Sequence, residues 1–129
     1  IFNNSIFFNI TLLEENNLKK DELYRLAKCL EVSRVDQFCN FNSLIKDYKV
    51  GMKEFGSNLS GGMKQRIGLC RALFKAKNWL FIDEATSSLD LKNESHIIEG
   101  LKNEFRNIGI IATAHRKSMI KSFDKCIEI

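Results

Sequence analysis

The chain has 129 residues, 44% of them apolar and 28% charged, a size and balance suited to one domain with a modest core and not to a disordered segment. Its net charge of +4 is spread over both halves without a polybasic run, so composition gives little support to nucleic-acid binding. The longest apolar runs, Trp79 to Ile82 and Ile108 to Ala112, fall far short of the roughly 20 residues that span a bilayer, so the segment is expected to be soluble in itself.

Taken in chain order, the first predicted element is a helix from Asp21 to Val32. Leu23, Leu26, Ala27 and Leu30 recur at helical spacing, and Asp21 and Glu22 sit where the helix dipole favours negative charge. A less regular stretch from Val35 through Phe38, Phe41, Leu44 and Ile45 toward Tyr48 reads as helix plus loop, so Ile10 to Asn58 is expected to be mostly helical. After Gly61-Gly62 a further helix carries Ile67, Cys70, Arg71 and Phe74 on one face and turns at Lys77-Asn78 into a strand, Trp79 to Asp83. Leu91 to Phe105 places Ile97, Ile98, Leu101 and Phe105 on one helical face, Asn107 to Thr113 reads as a second, buried strand, and Lys117 to Ser122 as a last short helix. Strands alternating with helices predict parallel pairing through crossovers, hence an α/β core after a helical segment, with a boundary near Asn58. Cys29, Cys39, Cys70 and Cys126 are widely and irregularly spaced without a C-x-x-C pair, which disfavours zinc and suggests reduced thiols. The chain opens on Ile1 with no signal-peptide pattern and is expected to be a segment of something longer.

Two places carry chemistry. A helix starting at Gly61-Gly62 leaves its first N–H groups unpaired at the positive end of its dipole, where a phosphate is a natural partner, and Ser60 adds a hydroxyl there. By itself Ser-Gly-Gly would read as a helix cap and turn. The second place is Asp83-Glu84, at the carboxyl end of an apolar strand, which is where open α/β sheets bind ligands. His115, following the other predicted strand, reaches the same edge if the strands are parallel, whereas His96 falls within a helix and is expected to face solvent.

Together these stretches resemble the ATP-binding-cassette family. Leu59-Ser60-Gly61-Gly62, continued by Gln65-Arg66, is similar to its signature motif, Leu80 to Glu84 to its Walker B strand and catalytic glutamate, Ser87-Ser88-Leu89-Asp90 to its D-loop, and Thr113-Ala114-His115-Arg116 to its H-loop. Phe2, Ser5, Ile6, Asn9 and Ile10 match the segment that follows the Q-loop in exporter-type cassettes, and Glu54 to Asn58 resembles the lead-in to the signature. Two positions depart from the pattern: Met63 where glutamine is common, and Lys53 where glycine often stands. A G-x-x-x-x-G-K-[ST] phosphate loop does not occur in the 129 residues.

The resemblance implies a P-loop NTPase-like fold in which 1–58 is the helical subdomain with the post-Q-loop segment, and 59–129 the signature and the C-terminal half of the α/β ATPase core. It implies that Ser60, Gly61, Gly62 and Gln65 contact the γ-phosphate of an ATP held by the opposite cassette of a head-to-tail dimer. Asp83 then holds Mg2+ through water, Glu84 polarises the attacking water, His115 bonds the γ-phosphate, and Ser88 and Asp90 reach across the dimer. Partners implied are a second nucleotide-binding domain and a transmembrane domain, fused or separate, at the cytoplasmic face of a membrane, with no nucleic acid. The expected function is ATP hydrolysis driving export, with the isolated segment inactive for want of the phosphate loop. The alternatives are a non-catalytic cassette remnant or interaction module and, less favoured because no heptad repeats flank the signature, a DNA-repair type ATPase.

Overall fold

The computed structural model describes residues 1–46, 57–83, 89–113 and 116–128. Its elements run α1 (Ile6–Thr11), α2 (Lys20–Val32), a 3-10 turn (Val35–Gln37), α3 (Phe41–Lys46), α4 (Gly61–Lys75), β1 (Trp79–Asp83), α5 (Leu91–Glu104), β2 (Gly109–Thr113) and α6 (Lys117–Ile120). Tyr48, Lys53 and the Glu54-Phe55-Gly56 part of the lead-in lie outside the described residues.

The first helix falls in the segment singled out by Phe2, Ser5, Ile6, Asn9 and Ile10, and each of these residues has a physical task. Ser5 caps α1 by accepting the Phe8 N–H at 3.0 Å. Ile6 and Ile10 enter the core, and Phe2 meets Phe8 edge to face at 5.9 Å. Asn9 is fully buried: its amide oxygen accepts the Phe2 N–H at 2.7 Å while its nitrogen donates to the carbonyls of Phe2, Asn4 and Ser5. One side chain therefore pins the incoming strand of chain to α1. So short a helix carries too few turns for a period to be legible.

The α2 helix begins one residue before the expected start, with Glu22 accepting the backbone N–H of Lys19 at 2.9 Å. Leu26, Cys29 and Leu30 form its buried stripe. The expectation of a mostly helical run from Ile10 to Asn58 needs correction over residues 12–19, which are irregular, with Leu12 in the left-handed region at φ 59°. The predicted helix plus loop after Val35 appears as the 3-10 turn and α3.

Helix α4 is the central post of the fold, with α1 and α2 packed on it and Ile67, Leu69, Cys70 and Leu73 buried. Leu73, not Phe74, completes the inward face; Phe74 is half-buried. Arg25 of α2 closes the other end of α4, donating to the carbonyls of Leu73 (2.7 Å), Phe74 (3.1 Å) and Ala76, and lying over the Phe105 ring. A guanidinium there satisfies the orphan carbonyls and complements the negative end of the dipole.

The strands β1 and β2 pair in parallel with Trp79 opposite Gly109 and Asp83 opposite Thr113, and α5 is the crossover between them. This is the α/β arrangement expected, with both strands ending at one edge. The expectation of a buried second strand is corrected, and β1 is one-sided too. Leu80 and Ile82 face the core, but Trp79 and Phe81 are 60% and 72% exposed, and Ile111 of β2 is exposed as well. Period-two alternation turns successive side chains to opposite faces, and among the described residues only one face of the sheet is covered by helices. In α5 the predicted face of Ile97, Ile98, Leu101 and Phe105 is buried, and His96 is half-buried instead of solvent-facing. The last helix, α6, stops two residues short of the expected Ser122.

Candidate functional site

Ser60 is the N-cap of α4: its Oγ accepts the Met63 N–H at 3.2 Å, and among the described contacts its hydroxyl hydrogen is not used as a donor. Gly61 and Gly62 are the first two residues of the helix, and the space around Gly61 is open, with nothing within 4 Å of where a Cβ would stand. Their N–H groups precede the first intrahelical bond, so a fifteen-residue helix presents two donors, a hydroxyl and its positive end at one point. Gln65 follows in the second turn, half-buried. Met63 is half-buried and packs toward the core, so the side chain at the position departing from the family pattern serves packing while its N–H serves the cap.

Asp83 ends β1 with its side chain exposed, and Thr113 ends β2 directly beside it. The Thr113 Oγ1 hydroxyl donates to Asp83 Oδ1 at 2.7 Å. Sequence reading placed Thr113 only within the H-loop match. Counting both strands to their carboxyl ends would have paired it with Asp83, since parallel strands of equal length finish together. Among the described residues no cluster of three or more His, Cys, Asp or Glu forms. An exposed carboxylate with one oxygen oriented by a hydroxyl suits a hydrated Mg2+, which takes few carboxylates and keeps much of its water.

Asp90 is the N-cap of α5. Its Oδ1 accepts the Asn93 N–H at 3.0 Å and its Oδ2 accepts the Asn93 side-chain amide. These bonds, the backbone one first, hold its carboxyl below the usual carboxylate range. Just before it, the Leu89 carbonyl accepts from Arg116 Nη1 at 2.8 Å, and the same guanidinium nitrogen stands 3.5 Å from the buried carboxylate of Glu94. The residue that follows His115 is thus tied both to the chain entering α5 and to α5 itself.

Arg66, one turn into α4, donates to the Gly62 carbonyl (3.4 Å), the Arg34 carbonyl (3.2 Å) and Gln37 Oε1 (2.7 Å), and lies 5.0 Å from the Phe38 ring centroid. Burial, and behind it the charge of Arg34, lowers its pKa from the usual guanidinium value. Arg34 Nε in turn donates to Asn93 Oδ1 at 3.4 Å. Arg116 entered the sequence reading only within the H-loop match, and Arg34 and Asn93 were not singled out for a site, because arginines and asparagines on polar surfaces carry no spacing that marks them.

The described contacts bring Asp83 to Thr113, and Asp90 through Asn93 and Arg34 to the start of α4. They do not bring Ser60 to Asp83. Glu84, Ser88 and His115 lie outside the described residues.

A family model described as ABC transporter matches residues 1–87. The chain is 36% identical over 127 residues to "ABC transporter B family member 13" of Arabidopsis thaliana, covering 98% of this chain and 10% of that protein. It is 35% identical over 127 residues to "Mycobactin import ATP-binding/permease protein IrtB" of Mycolicibacterium smegmatis, covering 98% of this chain and 21% of that one. Among solved structures, "Structure of a bacterial Atm1-family ABC exporter with ATP bound" superposes with a TM-score of 0.73 at 30% identity, over 93% of this chain and 20% of that chain. The chain therefore spans about a tenth to a fifth of the length of these proteins.

Proposed function

Because this chain belongs to the ABC transporter family, and within it resembles the cassettes of exporter-type members, we propose that it is the carboxyl-terminal part of a nucleotide-binding domain that hydrolyses ATP to drive a cargo across a membrane. The observation that carries the proposal is the helix start at Ser60-Gly61-Gly62, open to solvent with its first donors unspent among the described residues, in one chain with a strand that delivers Asp83 to a sheet's carboxyl edge. In this reading 1–58 is the helical subdomain and 59–129 the signature with the second half of the ATPase core. The phosphate loop belongs to a preceding part of a longer protein.

The residues take the following roles. Ser60, Gly61 and Gly62, with Gln65 behind them, receive the γ-phosphate of an ATP seated on the opposite cassette through backbone N–H groups and one hydroxyl, which suits the doubly charged terminal phosphate. Asp83, oriented by Thr113, would hold a hydrated Mg2+, which when bound would supply charge neutralisation for the phosphates. Glu84 orients and polarises the attacking water, and His115 holds the γ-phosphate in line with it. Ser88 and Asp90 face the opposite phosphate loop. Asp90 spends its carboxylate on the α5 cap, so it contributes there by placing its own backbone. Phosphoryl transfer asks chiefly for alignment and charge neutralisation, and this set supplies both once two cassettes close head to tail.

Among the described residues no helix is long and apolar enough to cross a membrane. The proposal therefore assigns membrane passage to a transmembrane domain, fused or separate, with this segment at the cytoplasmic face.

The test is Glu84→Gln in the full-length protein. Nucleotide binding should persist while ATP turnover falls about a thousandfold, the scale of losing a group that acts on the reacting water. Turnover at the unsubstituted rate would remove Glu84 from the mechanism. In the 129-residue segment alone, calorimetry should detect weak ATP binding or none.

A further inference from the structure

Arg34 is one of two non-glycine residues with positive φ among the described residues, at 62°, directly after α2 ends. Glycine is the residue that takes this conformation at least cost, and an L-residue kept there invites a search for what its side chain accomplishes. The left-handed turn sends the two polar ends of Arg34 to different elements. Its carbonyl accepts from Arg66 Nη1 at 3.2 Å, and Arg66 also holds the Gly62 carbonyl at the start of α4. Its Nε donates at 3.4 Å to Asn93 Oδ1, and the Asn93 amide and backbone N–H both close on the carboxylate of Asp90. Both guanidinium groups are half-buried, and Arg66 is further fixed by Gln37 and the Phe38 ring.

We propose that Arg34 is a positioning residue that sets the spacing between the Ser60–Gly62 segment and Asp90, so that both meet the opposite cassette as one preset surface. This rests on the head-to-tail ATPase reading above, in which those two segments serve the same neighbouring nucleotide. If they moved independently, each would have to be ordered separately when the cassettes close. A link through Arg34 lets a single ordering serve both, which lowers the ATP concentration needed for closure.

The decisive variant is Arg34→Gly in the full-length protein. It removes the Nε bond to Asn93, keeps the carbonyl for Arg66 and suits the left-handed backbone, so the fold should melt at or above the unsubstituted temperature. The half-saturating ATP concentration for turnover should rise about 3- to 10-fold, the range expected for one lost hydrogen bond, with kcat changing less. Asn93→Ala should give the same rise, and the double variant no more than the larger single effect. An unchanged KM in a stably folded Arg34→Gly protein, or fully additive effects in the double variant, overturns the proposal. If Arg34→Gly folds poorly, Asn93→Ala decides by itself, because the Asp90 cap keeps the Asn93 backbone bond. Failure of the underlying reading looks different: the unsubstituted protein would show no ATP turnover, or Glu84→Gln would leave turnover intact.

Discussion

Thr113 Oγ1 donates a 2.7 Å hydrogen bond to Asp83 Oδ1, joining the final residues of two parallel strands that stand opposite each other in register. A carboxylate on an exposed strand end can rotate freely, and this bond selects one orientation for it. Thr113→Val keeps shape and β-branching but removes the donor. On the proposed ATPase reading, the Mg2+ concentration that half-saturates turnover by the full-length protein should rise roughly tenfold, as when a group orienting a metal ligand is lost, and Thr113→Ser should restore it. A Mg2+ titration of ATPase activity reads both, and equal curves for Val and Thr would show that the hydroxyl does not orient the carboxylate.

Arg116→Ala tests the ion pair with Glu94, whose side chain is 2% exposed while that of Arg116 is 38% exposed. Removing the cation takes from the buried carboxylate its arginine partner, one of its contacts, and the Leu89 carbonyl loses its Arg116 bond as well. The expected loss is about 2–3 kcal/mol in urea unfolding, below the range for fully buried pairs because the arginine is partly in water. Adding Glu94→Gln should recover a large part of it. A loss under about 0.5 kcal/mol, the scale of ordinary surface substitutions, would place the pair among contacts of no consequence.

Two glycines make opposite predictions. A Cβ on Gly100 would stand 2.8 Å from Val32 Cγ2, in the packed seam between α5 and α2, where Val32 is 1% exposed and has nowhere to move. Gly100→Ala should therefore destabilise by about 1–3 kcal/mol in spite of alanine's better helix propensity, and Val32→Ala in the same chain should relieve the overlap. A Cβ on Gly109 would stand even closer, 2.4 Å from the Trp79 ring, yet that ring is 60% exposed and can swing outward. Gly109→Ala should cost under about 1 kcal/mol, with a change in Trp79 fluorescence as its signature.

The cysteines should react in order of burial. All four are free; Cys29 and Cys70 are buried, Cys39 is half-buried and Cys126 is exposed. Burial pushes the Cys29 thiol up to about 12 and Cys70 well above its ordinary value. At pH 8 a thiol reagent should modify Cys126 first, Cys39 slowly, and Cys29 and Cys70 only on unfolding. Raised thiol values in the folded state mean that the unfolded chain loses those protons first. Stability from the neutral thiols is thus complete below about pH 9, the ordinary thiol range, and falls as pH climbs toward 12. Unfolding midpoints at pH 8 and pH 10.5 should differ in that direction.

What the sequence determined by itself was whatever depends on neighbours along the chain. The period of Leu26 and Leu30 specified α2, the Ser60-Gly61-Gly62 cap specified the start of α4, and the apolar run ending in Asp83 specified β1, because caps, periods and strand ends are local physics. The candidate groups at Ser60, Gly61, Gly62 and Asp83 could be singled out for the same reason, each sitting at the end of an element, whereas Asp90 was picked out only by the D-loop resemblance. Tertiary structure alone decided what these ends touch. The strands' register put Thr113 on Asp83, the left-handed turn at Arg34 joined Arg66 to Asn93, and covering the sheet on one face left Trp79 and Phe81 exposed. Such contacts join residues about 30 to 60 positions apart. For the Arg34 contacts chain order carries no signal, because they depend on how the helices pack around α4, and for Thr113 and Asp83 the only signal is that parallel strands finish together.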